Sequence, residues 1–121
     1  MIVGLGVDVV DLARFERAIT RTPRLRERLF AAEELESDGQ PRSIASLAAR
    51  FAAKEAAQKA IGTAVGTRWI DFVVLQDAVG KPRLELRGTA AEHAVAVGAQ
   101  RLHVSMSHDA GIATATVIAE S

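Results

Sequence analysis

Two acidic residues in this sequence stand where the local pattern expects apolar ones, and their chemistry suits a hard divalent cation. Asp8 lies in the Val- and Ile-rich run Ile2 to Val10. Read as a strand, this run points Ile2, Gly4, Gly6 and Val10 with Asp8, and Val3, Leu5, Val7 and Val9 the other way. Glycine weakens a strand interior and marks close approach of a backbone or a ligand, so Gly4 and Gly6 leave open space beside the one charged side chain. Glu55 lies in the long periodic segment Ile44 to Ile61. At 100° per residue it falls within about 20° of the centre of a stripe made by Ile44, Leu47, Ala48 and Phe51. An unpaired charge there costs several kcal/mol, on the order of a whole protein's stability, so Glu55 needs a cation, a donor or water. Lys59 follows one turn later on the flank of the same face. Magnesium is commonly held by one or two carboxylates together with waters and phosphate oxygens, which Asp8 and Glu55 provide if the fold unites them. A lysine beside them completes a site for a diphosphate.

Each of these residues also has a plainer reading. Glu55 and Lys59 fit an exposed i, i+4 pair worth about 0.2 to 0.5 kcal/mol, and the alanines around the helix leave its inward face poorly defined. Asp8 fits a turn into the next helix, shared with Asp11. In the run His103 to Asp109, alternation places His103, Ser105 and Ser107 on one face, which suits either a cleft wall or the solvated side of an edge strand. Ser, His and Asp so close in sequence do not converge easily, and no Gly-x-Ser-x-Gly elbow supports a hydrolase. Neither Gly-x-Gly-x-x-Gly nor Gly-x-x-x-x-Gly-Lys-Ser/Thr occurs, so phosphate is held in some other way.

The elements that must position these residues follow from the same periodicities. A strand over Ile2–Val10 runs to Asp11, which caps a helix through Leu12, Phe15 and Ile19 that ends before Pro23. A short helical stretch is expected over Leu25–Leu35, then a loop over Ser37–Pro41. Ser43 opens the helix Ile44–Ile61, which stops at Gly62. Strands over Ile70–Gln76 and Arg83–Arg87 flank a turn with Gly80, Lys81 and Pro82, a helix spans Gly88–Val97, and Leu102–Ser107 and Ile112–Ala119 form a closing hairpin that turns at Asp109-Ala110-Gly111. Together they predict one α+β domain: an antiparallel sheet with one long central helix and shorter helices packed on it.

Composition narrows the class. At 121 residues and 49% hydrophobic content the chain closes one core, with room for oligomerisation to add burial. The lack of cysteine excludes disulfides and thiolate metal sites. No apolar run reaches membrane-spanning length and no signal-peptide pattern stands at the N-terminus, so a cytoplasmic protein is expected. Fifteen basic residues balance fifteen acidic ones, which argues against a general nucleic-acid binder. The charge is nonetheless uneven, with Arg14, Arg17, Arg21, Arg24, Arg26 and Arg28 clustered before Glu33, Glu34, Glu36 and Asp38. That patch suits an acidic partner, and a non-catalytic RNA-binding or adaptor module using Arg14 to Arg28 is the alternative reading.

Four motifs in order carry a resemblance. Gly4-Leu5-Gly6-Val7-Asp8 with Arg14 and Phe15, Arg50-Phe51-Ala52-Ala53-Lys54-Glu55-Ala56-Ala57-Gln58-Lys59-Ala60-Ile61-Gly62-Thr63, Gly80-Lys81-Pro82, and His103-Val104-Ser105-Met106-Ser107-His108-Asp109 together resemble the small bacterial 4′-phosphopantetheinyl transferases, the holo-acyl-carrier-protein synthase type. The resemblance spans nearly the whole chain. It implies transfer of the phosphopantetheine arm of coenzyme A to a serine of an acyl carrier protein, with release of adenosine 3′,5′-bisphosphate. Carried onto matching positions, it implies Asp8 and Glu55 as magnesium ligands and Lys59 as a diphosphate contact. It places Arg50, Lys54, Gly62, Lys81, Pro82, His103 and Ser105 along the coenzyme A groove. It further implies a homotrimer with active sites between subunits, and it gives the stripe Arg14, Arg17 and Arg21 an acidic carrier protein to dock. The serine's proton is expected to go to a metal-bound water or a nearby carboxylate, and the sequence does not choose between them. Ala64 departs from the family pattern, where glycine often follows Gly62-Thr63.

Overall fold

The computed structural model describes Met1–Ser121. Its elements run β1 (Ile2–Asp11), α1 (Leu12–Arg21), α2 (Leu25–Leu29), a 3-10 turn (Ala32–Glu34), β2 (Glu36–Ser37), β3 (Gln40–Pro41), α3 (Ile44–Ile61), a second 3-10 turn (Trp69–Asp71), β4 (Phe72–Gln76), β5 (Pro82–Leu86), α4 (Gly88–Ala96), β6 (Arg101–Asp109) and β7 (Ile112–Glu120). Two expected caps are present. The Asp11 carboxylate accepts from Arg14 N at 2.8 Å, and the Ser43 hydroxyl accepts from Ser46 N at 3.1 Å. Each satisfies one of the orphan donors at a helix start, a contribution of about 1 kcal/mol.

The α+β architecture is as expected, with the strands divided among three antiparallel sheets. The main one has the order β1-β7-β6. The β6–β7 hairpin closes on Asp109 opposite Ile112, through Ala110 and Gly111, both at positive φ. That is the backbone a two-residue hairpin turn needs. β4–β5 forms a two-stranded ribbon, and the expected loop 37–41 contains the small β2–β3 ladder, turned by Asp38 and Gly39 at positive φ. The expected helix over Leu25–Leu35 is broken. Phe30 is extended and buried, and burying both Leu29 and Phe30 diverts the chain before the 3-10 turn begins. The first residues of the expected strand at Ile70 lie instead in the second 3-10 turn, where the Asp71 carboxylate accepts from Arg68 N at 3.1 Å.

α3 is the centre of the molecule and is covered on two sides. One core cluster joins its alanines to the main sheet, the β4–β5 ribbon and α4; the other joins Leu47, Ala48 and Ala49 to Phe15, Ile19, Leu29 and Phe30. This corrects the inward face inferred from periodicity. Burial wraps most of the helix, including Ala49, Ala52, Ala53, Ala56 and Ala57, while Phe51, Glu55 and Gln58 form the line left partly open. Glu55 is therefore at the rim of the core, not at its centre. No helix is long and apolar enough to cross a membrane.

The expectation drawn from Gly4 and Gly6 is met by a backbone. A Cβ on Gly4 would lie 1.7 Å from the Ala60 carbonyl oxygen, and one on Gly6 would lie 1.8 Å from that of Ala56. β1 thus lies directly on α3, antiparallel to it, through four residues with little or no side chain. Because the obstructing atoms are backbone, Gly6→Ala is expected to destabilise the fold by about 3 kcal/mol or more, read as a lowered urea midpoint.

Candidate active site

The contact between β1 and α3 decides where Asp8 goes. Gly4 faces Ala60 and Gly6 faces Ala56, so each two-residue step along the strand matches one turn of the helix. The next inward residue, Asp8, therefore arrives beside the turn that carries Glu55. Both carboxylates line one cleft of about 370 Å³ with Asp11, Arg14, Phe15 and Phe51. The Lys59 ammonium donates to the Val7 carbonyl at 2.8 Å and to Asp8 Oδ1 at 3.3 Å. The three residues singled out from sequence are brought together.

The electrostatics of the group agree with the geometry. Burial, and next the charge of Asp8, push the Glu55 carboxyl above its ordinary range, with Lys59 only partly opposing them. Two carboxylates share one site with the Lys59 ammonium beside Asp8, and Asp11 and Arg14 line the same cleft. No third carboxylate, histidine or cysteine joins them in a metal-binding cluster. This donor set fits magnesium, which keeps waters and takes phosphate oxygens, better than a metal that needs a full protein cage. Because ligation requires the ionised carboxylate, a cation held by Glu55 would bind less tightly as pH drops through the raised Glu55 pKa.

A second, smaller cleft opens on the other flank of Glu55, about 160 Å³, lined by Glu55, Gln58, Lys59, Thr63 and Trp69. Gln58, Thr63 and Trp69 were not singled out from sequence. The Trp69 and Phe51 rings lie 5.1 Å apart, and those of Phe51 and Phe15 5.7 Å apart, so an aromatic row runs from one cleft to the other. Gly62 ends α3 at φ 81°, as its helix-stop reading requires. The His93 ring donates Nε2–H to the Ile61 carbonyl at 2.8 Å and so ties α4 to the start of the loop. Ala64 keeps a negative φ, a backbone any residue adopts, so the departure from glycine there carries no strain.

Lys54 is a correction. Its ammonium is fully buried, ion-paired to Glu34 Oε1 at 2.7 Å, and donates to the carbonyls of Trp69 and Phe72. Every donor is committed inside the core, so it cannot line a coenzyme groove. Burial pulls its pKa down and Glu34 opposes that shift. Glu34 also accepts from Ala31 N and Val74 N, both at 2.9 Å, so this pair stitches α3 to both 3-10 turns and to β4. Arg50 is also deep, 3% exposed, with Nη1 on Ser46 Oγ at 2.7 Å. Its Nε and Nη2 have no partner, and burial, with Arg42 close by, lowers its pKa to about 10.

The remaining predicted residues form a separate groove. Lys81, Pro82, His103 and Ser105 line a depression of about 410 Å³ with Asp77, Arg83, Thr116 and Ile118. The register explains the separation. Ser105 pairs with Thr116, which pairs with Val7, and His103 pairs with Ile118, which pairs with Leu5. His103 and Ser105 therefore share the outer face of the sheet with Leu5 and Val7, whereas Asp8 points inward to α3. His103 Nε2 lies 3.1 Å from Glu120 Oε1, and this contact, with Arg101, lowers the Glu120 pKa. Arg14, Arg17 and Arg21 are exposed on α1, opposite the buried Phe15 and Ile19.

Known proteins are similar to this chain over nearly all its length. The sequence signature of the 4′-phosphopantetheinyl transferase superfamily matches residues 4–116. The chain belongs to that superfamily. Holo-[acyl-carrier-protein] synthases of Streptomyces griseus and Salinispora arenicola are 52% and 54% identical to it over 121 residues, covering 99% of each chain. The crystal structure of the Helicobacter pylori holo-[acyl-carrier-protein] synthase in complex with coenzyme A superposes with a TM-score of 0.81 at 30% identity, covering 96% of this chain and 99% of that one. Within the superfamily the chain falls among the holo-[acyl-carrier-protein] synthases, and it is a phosphopantetheinyl transferase.

Removing one member of the buried pair strands a charge. Lys54→Met alone is expected to cost about 3 to 5 kcal/mol, and the double change Lys54→Met with Glu34→Leu less than the sum of the two single changes, measured by denaturant unfolding. A loss of coenzyme binding in Lys54→Met without loss of stability would restore Lys54 to the groove.

Proposed function

We propose that this chain, as a cytoplasmic homotrimer, moves the phosphopantetheine arm of coenzyme A onto a serine of an acyl carrier protein, with Asp8 and Glu55 holding the magnesium. The observation that carries this reading is the convergence of Asp8, Glu55 and Lys59 at the junction of two clefts. Magnesium bound there supplies charge neutralisation on the diphosphate oxygens. The serine oxygen bonds to the β-phosphorus, the bridging bond to the α-phosphate breaks, and adenosine 3′,5′-bisphosphate leaves. Lys59 stabilises the leaving oxygens, since charge develops there as the bond breaks.

The arginine stripe gives the second substrate its approach. Arg14 lines the carboxylate cleft itself, and Arg17 and Arg21 continue outward along the same exposed helix face. An acidic carrier docked on α1 would bring its serine to the mouth of the cleft that holds Asp8. Electrostatic complementarity of this kind chiefly sets encounter rate and partner choice.

The trimer reading is supported by the two faces of the sheet. Lys81, Pro82, His103 and Ser105 cannot share one ligand with Asp8 and Glu55 of the same chain if they stay on the opposite face. A second copy can supply them. The outer face also exposes Leu5 (61%), Val9 (56%) and Val7 (51%), an apolar row suited to burial between copies.

Three measurements test this reading. Mixing the protein with coenzyme A, magnesium and an apo-carrier protein should add the phosphopantetheine arm to the carrier by mass spectrometry. Glu55→Gln should abolish that addition. The same variant should melt no lower than the wild type without metal. Glu55 holds its proton more tightly folded than unfolded, so its ionised form opposes folding near pH 7, and this opposition fades as pH falls through the raised pKa toward the ordinary value. Wild-type turnover in Glu55→Gln would sink the metal assignment. For the shared site, Glu55→Gln and the double variant Lys81→Ala with His103→Ala should each be inactive, yet regain roughly a quarter of wild-type activity when their subunits are mixed. No recovery on mixing would place each site within one chain.

A further inference from the structure

Lys59 stands between the two functions assigned to it. Its ammonium sits on Asp8 and on the Val7 carbonyl, at 3.3 and 2.8 Å, while the residue also lines the cleft of Glu55, Gln58, Thr63 and Trp69. The two ends of the ion pair differ in freedom. The Lys59 side chain is 55% exposed and that of Asp8 only 13%. A lysine is a compact charge on a flexible four-carbon stem, so the ammonium can swing while the carboxylate stays fixed. Asp8 is its one ion-pair partner.

We infer that Lys59 is an exchangeable counter-ion, which neutralises Asp8 until a divalent cation displaces it and turns it toward the diphosphate. This rests on the metal reading above and adds to it a coupling between ligands. A divalent cation and an ammonium on one carboxylate repel each other, so a cation arriving alone weakens the 3.3 Å Lys59–Asp8 pair and favours release of the ammonium. Coenzyme A offers the displaced ammonium new anionic oxygens within the adjoining cleft. Metal and coenzyme therefore favour each other, and by linkage each raises the affinity of the other by the same factor. The device disfavours a metal-loaded site without its substrate, and no third residue is needed for it.

Direct binding of Mn²⁺ separates this from simple diphosphate contact. Free Mn²⁺ is followed by its electron paramagnetic resonance signal in titrations of the wild type, Lys59→Met and Glu55→Gln, with and without coenzyme A. Lys59→Met keeps the length of the stem and removes its charge. Without coenzyme A, Lys59→Met should bind Mn²⁺ roughly 1.5- to five-fold more tightly than the wild type, the range set by a half-exposed ion pair. The tightening that coenzyme A produces should shrink by about the same factor in that variant. If Glu55→Gln loses Mn²⁺ while Lys59→Met binds it no tighter than wild type, the exchange is overturned and the metal site stands. If Mn²⁺ affinity is indifferent to Glu55→Gln, the metal site fails and the exchange with it.

Discussion

The close contact of β1 with α3 is the constraint on which the site depends. Strand and helix backbones approach at Gly4–Ala60 and Gly6–Ala56, where a single added Cβ would overlap a carbonyl oxygen. Close packing in a protein interior transmits such a contact with little slack, so the strand can neither slide nor rotate along the helix. Asp8 is thereby delivered to Glu55, and Lys59 can reach the backbone of the same strand at Val7. The absent side chains are as functional as the charged ones, because they set the distance at which two carboxylates share one cleft.

A second constraint holds the far side of α3. The Lys54–Glu34 pair is sealed in the core with each partner's hydrogen bonds supplied by backbone groups of Ala31, Trp69, Phe72 and Val74. An isolated buried ion pair is poor evidence of stability, since desolvation offsets its attraction. What it achieves here is location: it joins elements far apart in sequence around the residue before Glu55. Lys54 and Glu55 are neighbours in the chain with opposite fates, one turned into the core and one to the rim. That contrast follows from α3 being packed on two sides, with only the Phe51–Glu55–Gln58 line left open.

The main sheet separates two sets of polar residues by its pleat. Asp8 faces α3, while His103 and Ser105 share the opposite face with Leu5 and Val7. Alternation along a strand makes this partition unavoidable, because one step in sequence changes the face. An enzyme needing both sets around one substrate must either abandon one set or repeat the chain. The apolar outer row is the surface that the proposed repetition would bury, and a chain of this length would gain from that burial.

Much of this protein was legible in its sequence. The caps at Asp11 and Ser43, the stop at Gly62, the hairpin turn at Ala110-Gly111 and the span of α3 all follow from local physics, because each depends on a few adjacent residues. Gly4 and Gly6 announced a close approach, and Asp8, Glu55 and Lys59 announced a charge needing company. What local pattern could not supply was the partner of each. The alanines of α3 have no preferred inward side by themselves; the sheet and the β4–β5 ribbon together decided which face stays open. Lys54 and Lys59 look alike in the sequence, and only Glu34, some 20 residues earlier in the chain, drew one of them inside. Sequence thus determined which groups would carry charge on which element. Tertiary structure decided which of those charges are buried, which face each other and which lie on opposite sides of a sheet, because burial and charge pairing are properties of contacts between distant segments.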